Sequence, residues 1–143
     1  MKPQRPIPPE TLSAQAKASD PTISAWVSAN AGSGKTHVLS QRVIRLLLGD
    51  TDPARILCLT YPRAAAANMA NRVFKELAAW TALPDDELAD AITALEGIRP
   101  GAGKLSLARR LFSKALETPG GLKIQTIHAF CESVLHQFPL EAN

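Results

Sequence analysis

Cysteine is scarce in this 143-residue chain, and its two copies exclude more than they suggest. Cys58 and Cys131 lie far apart and match no metal-ligand spacing, so neither a zinc site nor an oxidising compartment is written into the sequence. Cys58 falls inside the apolar run Ile56-Leu57-Cys58-Leu59, where a buried, inert thiol is expected. No apolar run approaches the ~18 residues needed to cross a bilayer. The N-terminus has five prolines in its first 21 residues and no apolar h-region, which excludes a signal peptide. Internal repeats are absent. The expectation is a cytoplasmic protein with no membrane segment.

What is present is ordinary globular material. Hydrophobic residues make up 45% and charged residues 20%, enough for one modest domain with a real core. The net charge of +3 permits a polyanionic partner without demanding one.

Residues 1–22 form a proline-punctuated arm in which Thr11–Ser19 is a short helix candidate, stopped by Asp20-Pro21. Ile23–Ser28 is short, apolar and followed by a Gly-rich turn, as expected of a buried strand feeding a helix. That helix is expected from about Gly34 to Leu48, with Val38, Leu39, Val43, Ile44 and Leu47 on one face and Gly49 as its stop. Ile56–Thr60 is a second buried strand, and the Ala-rich Ala64–Trp80 a long helix. Strand, helix, strand, helix over 23–80 argues for a parallel α/β sheet with crossover helices. Residues 81–121 break the rhythm and read as a helical insertion with a solvated charged surface. Its first helix starts at Pro84-Asp85-Asp86-Glu87, a loop runs over Gly97–Gly103, and its second helix spans about Leu105–Glu117. Residues 122–143 return to the core with a strand over Leu122–Thr126 and a helix over Ile127–Gln137.

The strongest chemical signal is Ala29-Asn30-Ala31-Gly32-Ser33-Gly34-Lys35-Thr36, between an expected strand and an expected helix. A triphosphate needs backbone N–H groups converging on its β-phosphate, and glycines let the backbone wrap it. The helix that follows points its positive end at the same place. Lys35 is placed to reach the β/γ-phosphates and the Thr36 hydroxyl to ligate Mg²⁺. Gly-x-Gly-Lys-Ser/Thr arises by chance on the order of once in 10⁴ positions or less, given glycine near 7%. The pattern therefore points to a nucleoside triphosphate with Mg²⁺, a grip shared by kinases, GTPases and motors, although Ala29 stands where the consensus has glycine. Gly101-Ala102-Gly103-Lys104-Leu105 imitates it, but Leu105 removes the metal-binding hydroxyl and no strand precedes; a surface turn is expected there.

Three flanking segments resemble a known family, the UvrD-like superfamily 1 DNA helicases, and within them the AddA subunits of AddAB helicase–nucleases. The run Ser24-Ala25-Trp26-Val27-Ser28 leading into the loop, with Ala29 at its first position, is similar to the alphaproteobacterial type. Gln15, followed by Ala18, Asp20 and Pro21, resembles the family's Q motif, in which a glutamine amide reads the adenine edge. Ile56 to Met69 is similar to motif Ia, which implies contact of Thr60 and Arg63 with single-stranded DNA; Pro62 and Asn68 depart from its usual residues. Gln125-Thr126-Ile127-His128-Ala129-Phe130 resembles the Thr-[Phe/Ile]-His-[Ser/Ala/Gly]-Phe motif, which implies DNA contact by Thr126 and His128. Taken singly, Gln15 also reads as an exposed arm amide and His128 as a satisfied helix-start histidine. Phe130 reads as core.

The resemblance implies a partial RecA-like P-loop NTPase domain from an ATP-dependent DNA helicase. It also implies single-stranded and duplex DNA as partners, an AddB-type partner subunit, 3′→5′ polarity and a role in double-strand-break repair. The family's Walker B acids, second-lobe arginines and nuclease domain have no counterpart in the sequence, and Asp85, Asp86, Glu87 and Asp90 follow no strand. Catalysis by this stretch alone is not expected, and a non-catalytic nucleotide-binding fragment is the alternative. A small P-loop kinase would need lid arginines and an acidic base after the second strand, where Ala64–Ala67 offers neither.

Overall fold

The computed structural model describes residues 7–30, 32 and 34–139. Among them the chain forms six α-helices and a two-stranded parallel sheet. Helix α1 (Pro9–Ala18) opens on a proline whose fixed φ suits a first helical turn. It ends where Pro21 disfavours helix at Asp20. Helix α2 (Lys35–Leu48) starts beyond Gly34 and ends at Gly49. Strand β1 (Leu57–Thr60) leads into the 20-residue helix α3 (Arg63–Ala82). Helices α4 (Asp85–Glu96) and α5 (Ala102–Glu117) follow, then strand β2 (Lys123–Thr126) and helix α6 (Ile127–Leu135). The strands pair in the register Leu57↔Lys123 through Thr60↔Thr126.

The core is built by helices rather than by the sheet. Met69, Val73, Leu77 and Trp80 recur every three or four residues along α3 and are buried. Val43, Ile44, Leu47 and Leu48 of α2 meet them, as do Leu88, Ile92 and Leu95 of α4 and Leu111 of α5. Each such side chain contributes about 1.5–3 kcal/mol when fully removed from water. The segment 81–121 keeps Asp85, Asp86, Glu87 and Asp90 in solvent, while its apolar stripe forms part of this core. Ala108 and Ala115 are fully buried, so small side chains carry the contact face of α5. Arg109 buckles the α3–α4 corner by donating to the carbonyls of Trp80, Thr81 and Leu83, which α3 leaves without intrahelical partners.

Several expectations are corrected. Ile23–Ser28 is not a strand: residues 22–30 are exposed and irregular, and Trp26 is 96% exposed. A strand exists through its ladder bonds, and here the Ile23 carbonyl is taken by Arg42 and those of Ala29 and Asn30 by Lys35. Among the described residues the parallel sheet therefore has two strands, not three. Nor is β1 buried on both faces, since Leu57 and Leu59 are each 44% exposed. Leu39 points outward from α2; the buried position beside it is Ser40, whose hydroxyl donates to the Thr36 carbonyl at 2.8 Å. Phe130 is only partly buried, and α6 buries no residue. The Gly101–Leu105 segment is largely the first turn of α5 rather than a surface turn, with Lys104 paired to Glu96 at 2.6 Å.

Candidate functional site

The Gly-rich turn enters α2 through two left-handed glycines, Gly32 at φ 81° and Gly34 at φ 88°. Side chains rarely tolerate this conformation, which is why glycine stands at both positions. Lys35 is the first residue of α2, and its ammonium curls back to donate to the carbonyls of Ala29 at 2.5 Å and Asn30 at 2.7 Å. Thr36 lies exposed in the first turn beside it, where unpaired N–H groups face outward. Ala31 and Ser33, expected in the same turn, lie outside the described residues.

Gln15 joins this group. A Cβ built on Gly34 would fall 2.9 Å from Gln15 Nε2, so the arm's amide touches the turn at its last glycine. Two clefts with shared walls open here. One of about 190 Å³ is lined by Thr11, Gln15, Val27, Lys35 and Val38. Its neighbour, of about 450 Å³, shares Ala18, Val27, Lys35 and Val38 and extends to Leu39 and Arg42. Two arginines of α2 hold the arm in place. Arg42 donates to the carbonyls of Ala18 at 3.1 Å, Asp20 at 2.6 Å and Ile23 at 2.5 Å. Arg45 donates to the Ala16 carbonyl and to the hydroxyl of the buried Ser19. Asp20 accepts from the Thr22 backbone and hydroxyl, which holds its carboxyl below the usual range; Arg45 and Arg42 add to the effect.

A second group gathers at the carboxyl ends of the strands, the end where open parallel sheets present ligands. Thr60 and Thr126 face each other in register. The Thr60 hydroxyl donates to the Pro62 carbonyl at 3.1 Å. Thr126 is buried, and its hydroxyl oxygen caps α6 by accepting from Ala129 N at 3.2 Å. Arg63, exposed, opens α3. His128 is exposed and meets Tyr61 edge-to-face, ring centroids 6.1 Å apart at 71°. Tyr61 is 77% exposed and was not among the residues singled out from sequence. Its signal was available: a lone large aromatic immediately after a strand, where nothing follows to bury it.

Burial, and to a lesser degree Arg72, lower the His37 pKa one residue beyond Thr36. Burial raises that of the Cys58 thiol, consistent with an inert sulfhydryl. Among the described residues no three His, Cys, Asp or Glu side chains converge as a metal cage. A Mg²⁺ ion here would rest on the Thr36 hydroxyl and on oxygens of a bound phosphate, a mode suited to an ion that keeps its waters. No helix among the described residues is long and apolar enough to cross a membrane.

Residues 10–143 match the UvrD/REP helicase N-terminal domain family. An ATP-dependent helicase/nuclease subunit of Enterococcus faecalis is 34% identical over 112 residues, covering 78% of this chain and 7% of that protein. The like-named protein of Latilactobacillus sakei is 35% identical over 112 residues, 78% of this chain and 10% of the relative. That of Bacillus velezensis is 33% identical over 115 residues, 78% and 8% respectively. The chain thus spans a tenth or less of the length of these curated relatives. No solved structure matches it. With a Gly-rich turn opening α2 and two threonines aligned at the strand ends, the chain belongs to the UvrD/REP helicase family, matching its N-terminal domain over residues 10–143.

Proposed function

We propose that this chain is the ATP-binding and single-stranded-DNA-contacting segment of an AddA-type, ATP-dependent DNA helicase–nuclease, and that its fold is part of a RecA-like P-loop lobe. The observation that carries the proposal is the meeting of Gln15 with Gly34 at the mouth of the turn that holds Lys35 and Thr36. An amide that both donates and accepts suits the adenine edge. Backbone N–H groups at 29–34 and the α2 N-terminus suit the phosphates, Lys35 their β/γ oxygens, and Thr36 the Mg²⁺. On binding, the Lys35 ammonium exchanges the Ala29 and Asn30 carbonyls for phosphate oxygens.

DNA is assigned to the strand ends. Arg63 and the first turns of α3 and α6 suit backbone phosphates, Thr60 adds a hydroxyl, and Thr126 holds α6 in place beneath His128. Tyr61 with His128 offers a face on which a base can stack. An AddB-type partner, 3′→5′ translocation, double-strand-break repair, a cytoplasmic setting and the alphaproteobacterial type follow from family resemblance and belong to the same proposal. A second reading is a non-catalytic nucleotide-binding segment, since Asp85, Asp86, Glu87 and Asp90 follow no strand and stand in solvent. ATP binding by calorimetry, lost in Lys35→Ala, tests the grip; an unaltered Kd in that variant would sink the proposal. DNA-stimulated ATP hydrolysis separates the two readings. Turnover abolished by Lys35→Ala would refute the non-catalytic one.

A further inference from the structure

Arg42 lies in the second turn of α2, away from Lys35, and its guanidinium collects three carbonyls from outside its own helix. They come from Ala18 at the end of α1, from Asp20 in the corner, and from Ile23 at the start of the run that leads into the Gly-rich turn. Arg45, three residues on along the same face, adds the Ala16 carbonyl and the Ser19 hydroxyl. A planar guanidinium with five donors can bind such a set at once; an ammonium cannot do so in the same geometry. The apolar contact between α1 and the rest is slight, since α1 buries no residue. Polar bonds to two arginines thus hold the arm over the turn.

We propose that Arg42, supported by Arg45, is a positioning residue for base recognition: it fixes the angle of α1 and so the register of the Gln15 amide against Gly34. The proposal rests on the assignment of ATP to this turn. Arg42 touches no nucleotide in it; the residue acts through Gln15. Loosening the clasp lets the amide drift from the base edge while the phosphate grip on α2 stays whole. Base selectivity is therefore the property at risk, and phosphate affinity is not.

The test uses the full 143-residue chain and calorimetric titration with ATP, GTP and inorganic tripolyphosphate. The unaltered chain should prefer ATP to GTP on the order of tenfold, because the half-buried Gln15 amide matches the adenine edge and mismatches the guanine edge. In Arg42→Ala that preference should fall to near unity, with tripolyphosphate affinity held within about twofold. Arg42→Lys should lose most of the preference too, since it keeps the charge but not the fork. In a double-mutant cycle, Gln15→Ala should add nothing to the selectivity loss of Arg42→Ala. A folded Arg42 variant that keeps the parent ATP-to-GTP ratio, or a cycle that is additive, overturns the positioning role and leaves the phosphate-turn assignment standing. If the unaltered chain binds neither nucleotide nor tripolyphosphate, that assignment falls and the positioning role with it. Failure of both Arg42 variants to fold would make the clasp a folding element and overturn the proposal as well.

Discussion

The helical body formed by α2 to α5 and the face formed by the sheet, the Gly-rich turn and α6 differ in almost every physical respect. In the body, apolar stripes at helical spacing close on one another, and Ile44, Leu47, Val73, Leu77, Leu88 and Ile92 have no exposure at all. On the face, Trp26, Leu57, Leu59, Tyr61, Leu135 and Phe138 lie open, and α6 buries nothing. Most of the candidate chemistry sits on the open side, with Lys35 and Arg42 reaching out from α2 and Arg63 opening α3, while Gln15 comes from α1 and Thr126 is buried. Stability and recognition are thus divided between two faces of the same helices. Substitutions on each should separate cleanly.

The largest effect is expected inside the body. Leu77→Ala or Leu111→Ala should cost about 2–5 kcal/mol in denaturant unfolding, since each leaves a cavity that close-packed helices cannot fill. Nucleotide and DNA binding should then fail together. Lys35→Ala should do the reverse, weakening ATP on the order of 100-fold, the loss expected of a charge-assisted contact. Its unfolding midpoint should move by no more than about 0.5 kcal/mol in equivalent free energy. A large midpoint shift there would break the division. Tyr61→Ala should weaken single-stranded oligonucleotide binding by about 1–3 kcal/mol in a fluorescence titration, with ATP affinity unchanged. On the open sheet face, Leu59→Lys should barely alter stability but reduce self-association in sedimentation, because exposed apolar faces and strand edges recruit other chains.

The smallest effect is a pH response. His37 is held below its ordinary pKa of 6.5, first by burial and then by Arg72. The folded state therefore favours the neutral ring, and the unfolded chain binds the proton more readily. Stability should be complete above pH 6.5 and decline as pH falls through that value. Thermal midpoints from about pH 7.5 down to about pH 5.5 should show a slope that His37→Gln flattens. An unchanged slope would place the titration elsewhere.

Much of this division was legible beforehand, and its failures follow one pattern. The long helices came through because alanine-rich segments and three-to-four spacing carry their own signal: Ala64–Trp80 was expected and Arg63–Ala82 is observed. The strands near 57–60 and 123–126 were equally plain. Ile23–Ser28 misled because a short apolar run is compatible with a strand, whereas a strand also requires a neighbour with free ladder groups. Leu39 misled for a related reason, since a helical stripe marks which residues share a face but not whether another element covers it. The turn's residues could be named from spacing alone. That Gln15 would meet Gly34, and that Tyr61 would stand beside His128, depended on how distant segments fold back.

By itself, then, the sequence determined the helices, the Gly-x-Gly-Lys-Thr turn and the residue types available for phosphate, since these follow from local propensity, backbone freedom and fixed spacing. Only the tertiary structure decided which apolar residues are covered, and that the segment 81–121 shares the core. It alone decided that Arg42 and Arg45 of α2 tie down the arm carrying Gln15. Burial and long-range hydrogen bonds are properties of pairs of segments, and one segment's residues do not specify the partner they will meet.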